Sequence, residues 1–164
     1  MTSDATAEQV TAVSKGFKGL YGTAPEGVWA APGRVNLIGE YTDFNEGFVL
    51  PLALPHTAVA AVARRTDGLL RLHSADIEAP VTELRVDELS PLFDGGWAGY
   101  PAGVVWALRE AGHTGIIGAD LHLSSTVPVG AGLSSSAALE VVTALALNDL
   151  HGLGLTEPQL ARLA

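Results

Sequence analysis

Cysteine is absent from this chain of 164 residues, and basic side chains are scarce. Without a thiol the chain has no disulfide, no cysteine-ligated zinc and no cysteine nucleophile. Lysine and arginine total nine against 18 aspartates and glutamates, so the formal net charge at pH 7 is −9. Nucleic-acid binding needs clustered basic side chains that displace counterions from phosphates. The composition therefore argues against nucleic acid as a partner.

Long apolar segments are also missing. No run reaches the roughly 20 uncharged residues that a membrane-spanning helix needs. The opening residues, MTSDATAEQV, have neither the basic start nor the apolar stretch of a signal peptide. With 48% hydrophobic and 16% charged residues, the composition is that of a globular domain. We therefore expect a cytoplasmic protein without a membrane partner.

Hydrophobic spacing predicts alternating helices and strands. The predicted helices cover residues 5–20, 97–111 and 134–150, and a last one begins after Thr156. Extended segments are predicted at 28–31, 35–38, 48–54, 57–63, 69–73, 82–86 and 119–127, with breaks at Pro32-Gly33 and Pro55-His56. This order predicts an α+β fold with a mixed sheet. Because no closing glycine follows the last helix, we expect a truncated sequence that stops inside a domain.

A glycine- and serine-rich segment, residues 128–136 (PVGAGLSSS), joins a predicted strand to a predicted helix. Gly130 and Gly132 let the backbone approach a ligand, and the free N–H groups and dipole at a helix start favour an anion. The hydroxyls of residues 134–136 suit phosphate oxygens or a hydrated metal. The pattern predicts a phosphate-binding loop. The alternative is that the serines only cap the helix and the glycines only make the turn.

Three familiar loops do not fit this segment. A Walker A loop needs Gly-Lys-Ser/Thr, and no lysine lies nearby. A dinucleotide fingerprint needs a third glycine where Ser135 stands, and an esterase elbow needs a closing glycine where Ser136 stands. A phosphate loop here therefore belongs to another class.

The second signal is residues 31–51, APGRVNLIGEYTDFNEGFVLP. Arg34 is the only basic residue between Lys18 and Arg64, and an isolated arginine in an apolar stretch is often paired with a carboxylate or phosphate. Carboxylates and amides, the usual partners of sugar hydroxyls, follow closely. The alternative is a salt bridge beside a turn at 43–47. A calcium loop is excluded because the closing glutamate is missing, and the five histidines lack metal-ligand spacing.

Together the two segments resemble the galactokinase family of the GHMP-superfamily sugar kinases. Residues 31–51 resemble the family's opening signature, and residues 128–137 resemble its Pro-x-x-x-Gly-Leu-Ser-Ser-Ser-Ala loop. Weaker similarity covers residues 72–76 and 97–100, and the chain as a whole resembles actinobacterial members. The resemblance implies a GHMP-kinase N-terminal domain (ribosomal protein S5 domain 2-like) over residues 1–164, incomplete and without the C-terminal domain.

The resemblance also implies an activity, which is the phosphorylation of the anomeric hydroxyl of D-galactose by MgATP. It implies that Arg34 stabilises the transition state and that the sugar is bound by Glu40, Tyr41, Thr42 and Asp43. The implied nucleotide site comprises Ser74, Trp97, Gly130, Ala131, Gly132, Leu133, Ser134, Ser135 and Ser136. Of these, Ser136 would touch Mg²⁺. The implied partners are the two small-molecule substrates, galactose and ATP.

The chain departs from the family in two respects. Tyr41 and Phe44 stand where many members have histidine and tyrosine, which leaves the preferred sugar open. The family's aspartate base, in a Gly-x-Met-Asp-Gln motif beyond the serine loop, is not in these residues. We therefore expect the isolated chain to be inactive. A non-catalytic galactose or ATP sensor is the alternative, while an oxidoreductase using residues 130–135 leaves residues 31–51 unexplained.

Overall fold

In the computed structural model, residues 4–39 and 47–164 are described, and side chains from residue 7 onward. Within these two ranges, four helices and five strands follow one another: α1 (Asp4–Tyr21), β1 (Gly27–Asn36), β2 (Pro51–Arg65), β3 (Leu69–Ser74), β4 (Thr82–Arg85), α2 (Gly99–Glu110), β5 (Gly118–Ser125), α3 (Ser135–His151) and α4 (Glu157–Leu163). Short 3-10 turns, Val86–Glu88 and Gly96–Ala98, precede α2. Both elements of the predicted α+β fold are present.

The five strands form one sheet in the order β1-β2-β5-β3-β4. β3 and β5 pair in parallel, whereas the other neighbours are antiparallel, so the sheet is mixed as the sequence predicts. Strand β5 lies in the middle and its first six residues are buried. Because β5 leads directly into the glycine-serine segment, the most enclosed strand of the fold positions that segment.

The two faces of the sheet carry separate hydrophobic cores. Alternate residues of β2 point to opposite faces, as strand geometry requires. Val59 and Ala61 face α1 together with Val13 and Phe17. The opposite face packs against α2, α3 and α4 in a larger core, whose fully buried leucines are Leu70, Leu72, Leu108, Leu121, Leu123 and Leu147. The start of α3 is therefore fixed on the same face as the larger core.

The last turn of helix α1 packs Tyr21 rather than Leu20 against the sheet. Val13 and Phe17 are buried, but Leu20 is 40% exposed. Tyr21 takes its place against the sheet, where its hydroxyl donates to the Leu121 carbonyl at 3.0 Å and its ring lies 4.7 Å from the Arg71 guanidinium carbon. Tyrosine suits this boundary because its ring is apolar and its tip needs a hydrogen-bond partner.

The predicted breaks at Pro32-Gly33 and Pro55-His56 are wrong, because β1 and β2 each continue through them. Pro32 is paired with Thr57, but Arg34 is paired with Ala53, so three residues of β2 face Gly33 alone. Such a bulge accommodates a proline, which has no N–H for the ladder. Residues 48–50 lie outside β2, although Leu50 still exchanges main-chain bonds with residues 37 and 38.

Helix ends agree more closely with the sequence. The predicted helix at 97–111 begins as a 3-10 turn and becomes α2 at Gly99. Helix α3 ends at Gly152, which has φ of 59° and caps it in the left-handed conformation. Thr156 and Gln159 form a reciprocal capping box at the start of α4.

An ion cluster holds the sheet together near the beginning of β5. The carboxylate of Asp120, 6% exposed, accepts two bonds from Arg71 at 2.6 and 2.7 Å and two from Arg65 at 3.2 and 3.1 Å. These bidentate contacts join β2, β3 and β5. The glycine-serine segment follows the other end of β5, so this cluster belongs to the scaffold.

Two glycines of α1 give a matched test of how closely the helix meets the sheet. A Cβ added at Gly16 would lie 2.3 Å from Nε2 of His122, a buried ring whose Nδ1 is 3.1 Å from Nδ1 of His73. A Cβ at Gly19 would meet nothing within 4 Å.

We predict that Gly16→Ala lowers the free energy of unfolding by about 1–3 kcal/mol through overpacking. Gly19→Ala raises it by up to about 1 kcal/mol through helix propensity. Urea unfolding checks both values, and equal effects of the two substitutions would contradict the close packing.

Candidate functional site

The segment between β5 and α3 is a turn built on left-handed residues. Gly130 and Gly132 have φ of 74° and 71°, and both are exposed. Ser134 has φ of 58° and ψ of 44° and is the one non-glycine residue with positive φ in the described part of the chain. This conformation costs a residue with a side chain about 1–2 kcal/mol. The surrounding structure therefore holds the chain in a strained turn immediately before α3.

The beginning of α3 has free backbone donors. Ser134 occupies the N-cap position but makes no side-chain capping bond, while its carbonyl accepts from Ala138 at 3.0 Å. The first N–H groups of a helix have no partner within it, and those of Ser135 and Ser136 donate to no acceptor among residues 4–39 and 47–164. With the positive end of the helix dipole, these donors suit an anion.

Two cavities meet at this helix start. One, of about 440 Å³, is named here the arginine cavity and is lined by Pro32, Gly33, Arg34, Pro51, Ala53, Ser134, Ala137, Ala138 and Val141. The other, of about 210 Å³, is named the tryptophan cavity and is lined by Ser74, Asp76, Ile77, Trp97, Tyr100, Leu123, Ser124, Ser125, Val129, Ser135, Ser136 and Leu139. Ser134 therefore lines the arginine cavity, whereas its neighbours Ser135 and Ser136 line the tryptophan cavity.

A main-chain bond ties β1 to the turn. The N–H of Arg34 donates to the carbonyl of Leu133 at 3.1 Å. Arg34 itself is exposed, and it lines the arginine cavity together with Ser134. The two segments that the sequence singled out, which contain Arg34 and Ser134, therefore lie in one cleft.

Polar contacts fix the floor of the tryptophan cavity. The carboxylate of Asp76 accepts from the Ser125 N–H at 2.6 Å, and the Asp76 N–H donates to Oγ of Ser74 at 3.3 Å. The N–H of Ala75 donates to the Leu123 carbonyl at 2.8 Å. These bonds hold the chain after β3 against the end of β5. Trp97 and Tyr100 supply aromatic surface on the same cavity. The result is a partly apolar slot that opens on the serines of α3.

The predicted site residues that the structure describes lie in the two cavities and in the turn before α3. Arg34 and Ser134 line the arginine cavity, whereas Ser74, Trp97, Ser135 and Ser136 line the tryptophan cavity. Gly130, Ala131, Gly132 and Leu133 make the turn that leads to α3. The predicted sugar contacts Glu40, Tyr41, Thr42 and Asp43, and the neighbouring Phe44, lie outside the described residues.

Four polar residues of the tryptophan cavity were not predicted from the sequence: Asp76, Tyr100, Ser124 and Ser125. Asp76 and Tyr100 fall in the two short segments of weaker family similarity, which was the available signal. Spacing alone does not indicate them, because they come together only when the ends of β3 and β5 and the start of α2 meet. Among the residues described, no three His, Asp or Glu side chains are grouped as a metal site.

Glu140 is a half-buried carboxyl one turn after Ser136. Burial raises the pKa of its side chain above the ordinary glutamate value. No hydrogen bond or ion pair to its carboxylate is found within the described ranges 4–39 and 47–164. An ionised carboxylate in this position is consequently unfavourable for the folded state.

Family models match two parts of the chain. Residues 15–64 match the galactokinase galactose-binding signature, and residues 99–164 match the N terminal domain of the GHMP kinases. The fold of the described residues is that of a GHMP kinase N-terminal domain. The second match covers α2, β5, the strained turn, α3 and α4, so it includes the three serines at the start of α3 that line the two cavities, Ser134, Ser135 and Ser136.

Similar proteins show which part of a GHMP kinase this domain represents. A galactokinase of Streptomyces coelicolor is 70% identical over 151 residues, which cover 92% of this chain and 39% of that protein. A galactokinase of Roseiflexus is 45% identical over 90% of this chain and 37% of its own length. The chain thus spans about two fifths of these relatives, and it corresponds to the N-terminal portion of galactokinases.

Solved structures agree with the fold. A Lactococcus lactis galactokinase complexed with galactose superposes with a TM-score of 0.82 at 32% identity, covering 94% of this chain and 40% of that one. A Methanococcus jannaschii mevalonate kinase, 20% identical, gives a TM-score of 0.69 over 84% of this chain and 44% of its own, which supports the fold alone. Within the described part of the GHMP kinase domain, no helix combines the length and apolarity needed to cross a membrane.

The raised pKa of Glu140 predicts a pH-dependent stability effect. A carboxyl whose pKa is higher in the folded state stabilises the fold while protonated, and this contribution is lost as pH rises through the folded value. We therefore expect Glu140→Gln to raise the melting temperature by roughly 1–3 °C at neutral pH. The difference should vanish below the ordinary glutamate pKa of about 4.3. Calorimetry of both proteins at the two pH values checks this, and a gain that persists in acid would contradict it.

Proposed function

We propose that this chain is the N-terminal part of an enzyme that phosphorylates the anomeric hydroxyl of D-galactose with MgATP. In that reaction the sugar oxygen forms a bond to the γ-phosphorus and the bond between that phosphorus and the β-bridging oxygen breaks. The products are galactose 1-phosphate and ADP, and the hydroxyl proton passes to a base. The observation that carries the proposal is the shared cleft of Arg34 and the start of α3.

The nucleotide would lie along the tryptophan cavity with its phosphates at α3. Free N–H groups at the start of α3 are donors for phosphate oxygens, and the Ser135 and Ser136 hydroxyls add further contacts. Trp97 and Tyr100 offer aromatic surface for the adenine ring of ATP, since aromatic rings stack on planar groups. These residues fit ATP without a Walker lysine, because main-chain donors and the helix dipole supply the attraction.

Magnesium would be held mainly by the nucleotide. Mg²⁺ prefers hard oxygen ligands and keeps several waters, so it is usually bound through few protein groups plus substrate phosphates. The hydroxyl of Ser136, on the first turn of α3, fits such a ligand. When bound, the ion neutralises charge on the β- and γ-phosphate oxygens.

Arg34 would stabilise the phosphoryl group in transfer. Its guanidinium keeps its positive charge at every physiological pH, and phosphoryl transfer is catalysed mostly by positioning and electrostatic stabilisation. The sugar hydroxyls would be bound by Glu40, Tyr41, Thr42 and Asp43, the first of which comes four residues after the end of β1 in the sequence. Support for galactose comes from the signature match at residues 15–64 and from the galactose-bound relative.

The catalytic base, which accepts the proton of the sugar hydroxyl, would come from outside these 164 residues. We infer that residues 1–164 form an incomplete N-terminal domain and that a C-terminal domain accompanies it in the cytoplasmic enzyme, since the similar galactokinases are much longer. The aspartate of a Gly-x-Met-Asp-Gln motif would accept the hydroxyl proton. On this proposal residues 1–164 alone bind ligands and do not turn over.

The role of Arg34 is tested by substitution in the protein expressed from its complete gene. We expect that protein to phosphorylate galactose, and Arg34→Ala to lower kcat by about 10²–10³-fold, the loss typical of one transition-state donor. Arg85→Ala is the matched control, since Arg85 pairs with Asp87 and lines neither cavity. A coupled ADP-release assay measures all three proteins.

The outcomes of this assay separate the candidate functions. Saturable binding of galactose and ATP without turnover by the wild-type protein would favour a sensor over an enzyme. Equal activity of Arg34→Ala and Arg85→Ala would remove Arg34 from the mechanism.

The proposed nucleotide slot makes a second prediction. Removing the aromatic surface in Trp97→Ala should weaken MgATP binding by about tenfold, and galactose affinity should stay within about twofold. Trp106→Phe in α2 is the control, because Trp106 lines neither cavity at the helix start. Calorimetric titration with each ligand gives both affinities. If Trp97→Ala bound MgATP as tightly as the control, the nucleotide base would have to lie elsewhere.

A further inference from the structure

Gly33 lies at the point where β1 changes its pairing with β2. Because Pro32 is paired with Thr57 and Arg34 with Ala53, the regular ladder is interrupted at Gly33. A bulge of this kind redirects the N–H and C=O groups beside it. Here the N–H of Arg34 donates at 3.1 Å to the Leu133 carbonyl, which belongs to the turn before α3.

Gly33 is also the place where the turn comes nearest to the strand. A Cβ added there would lie 2.9 Å from the same Leu133 oxygen and 3.0 and 3.2 Å from the two γ-methyls of Val127. The φ of Gly33 is outside the left-handed region, so its backbone conformation is open to any residue. Glycine is needed here because of the close approach of another backbone and for no conformational reason.

The accepting side of the bond is strained. Ser134, which has φ of 58°, directly follows the carbonyl that accepts from Arg34. A residue held in this region persists only when its surroundings fix it. The bond from β1 is one such constraint on the turn, and it joins the residue before Ser134 to Arg34 itself.

We propose that Gly33 is a positioning residue that sets the separation between Arg34 and the phosphate-binding turn. The proposal rests on the phosphoryl-transfer function proposed above. The missing side chain lets the turn approach β1, and the bond between Arg34 and Leu133 then fixes the guanidinium-bearing residue against the start of α3. A wider separation would move the guanidinium of Arg34 away from the phosphoryl group, while the start of α3 keeps its donors for the phosphates.

This geometry predicts a specific kinetic effect for Gly33→Ala. Ordinary van der Waals contact at a Cβ begins near 3.4 Å, so the Leu133 oxygen must retreat by about half an ångström. Misplacements of about 1 Å cost on the order of 10²-fold in rate. In the protein expressed from its complete gene, we expect kcat to fall about 10–100-fold while the KM for galactose and for MgATP each change by less than about threefold.

Two further variants separate the loop contact from side-chain packing. Val127→Ala removes the two methyls that face Gly33 and leaves the Leu133 carbonyl in place. The double variant Gly33→Ala/Val127→Ala should therefore recover only part of the lost kcat. If Gly33→Ala alone does not fold, the kcat of the double variant is compared with that of the wild-type protein instead. Gly103→Ala, at an open position of α2, is the control and should keep wild-type kinetics. Full recovery in the double variant would overturn the proposal, because packing against Val127 would then explain the loss.

Hydrogen exchange gives a readout that does not depend on turnover. The Arg34 amide should exchange slowly in the wild-type protein and at least about tenfold faster in Gly33→Ala, with the amides of β5 unchanged. Unaltered exchange together with a kcat within twofold of wild type would overturn the proposal. A wild-type protein that does not phosphorylate galactose would refute the proposed function, and the exchange rates would still decide whether Gly33 holds the strand to the turn.

Discussion

One main-chain hydrogen bond, from the N–H of Arg34 to the carbonyl of Leu133, joins the two segments on which the site depends. Without it the edge strand β1 and the turn before α3 would share no direct bond at the cleft among the contacts of the described residues. The bulge opposite Gly33 frees the donor, the missing Cβ allows the approach, and the left-handed Ser134 follows the acceptor. Together these features fix an arginine beside a helix start.

The scaffold supports this arrangement from a distance. The larger core fixes α3 on one face of the sheet, so the direction of the free N–H groups at its start is set by a helix whose inner residues are buried. At the beginning of β5, Asp120 binds Arg65 and Arg71 and joins three strands. The core and this cluster form the scaffold, whereas the one non-glycine residue with positive φ in the described part of the chain, Ser134, lies in the turn.

Much of the fold followed from sequence, because it depends on local patterns. The buried body of α3, the glycine that ends it and the capping box of α4 are each encoded within a few residues. The strand breaks were mispredicted because proline was taken as a terminator, whereas a bulge absorbs Pro55 within β2. The bond between Asp76 and Ser125 and the contact between His73 and His122 have no local sequence pattern. In each case the two partners are 49 residues apart and come together only in the folded sheet. The glycine-serine turn was found by its motif, but the need for glycine at position 33 appears only in three dimensions.

In the proposed mechanism, Arg34 and the start of α3 act on one phosphate group. A crystal structure of the protein from its complete gene, with galactose, Mg²⁺ and a non-hydrolysable ATP analogue, would test this arrangement. We expect phosphate oxygens within hydrogen-bond distance of the Ser135 and Ser136 N–H groups, the γ-phosphate beside the Arg34 guanidinium, and the sugar on the far side of that phosphate. Phosphates bound away from the start of α3, or an Arg34 side chain turned out of the cleft in that complex, would contradict it.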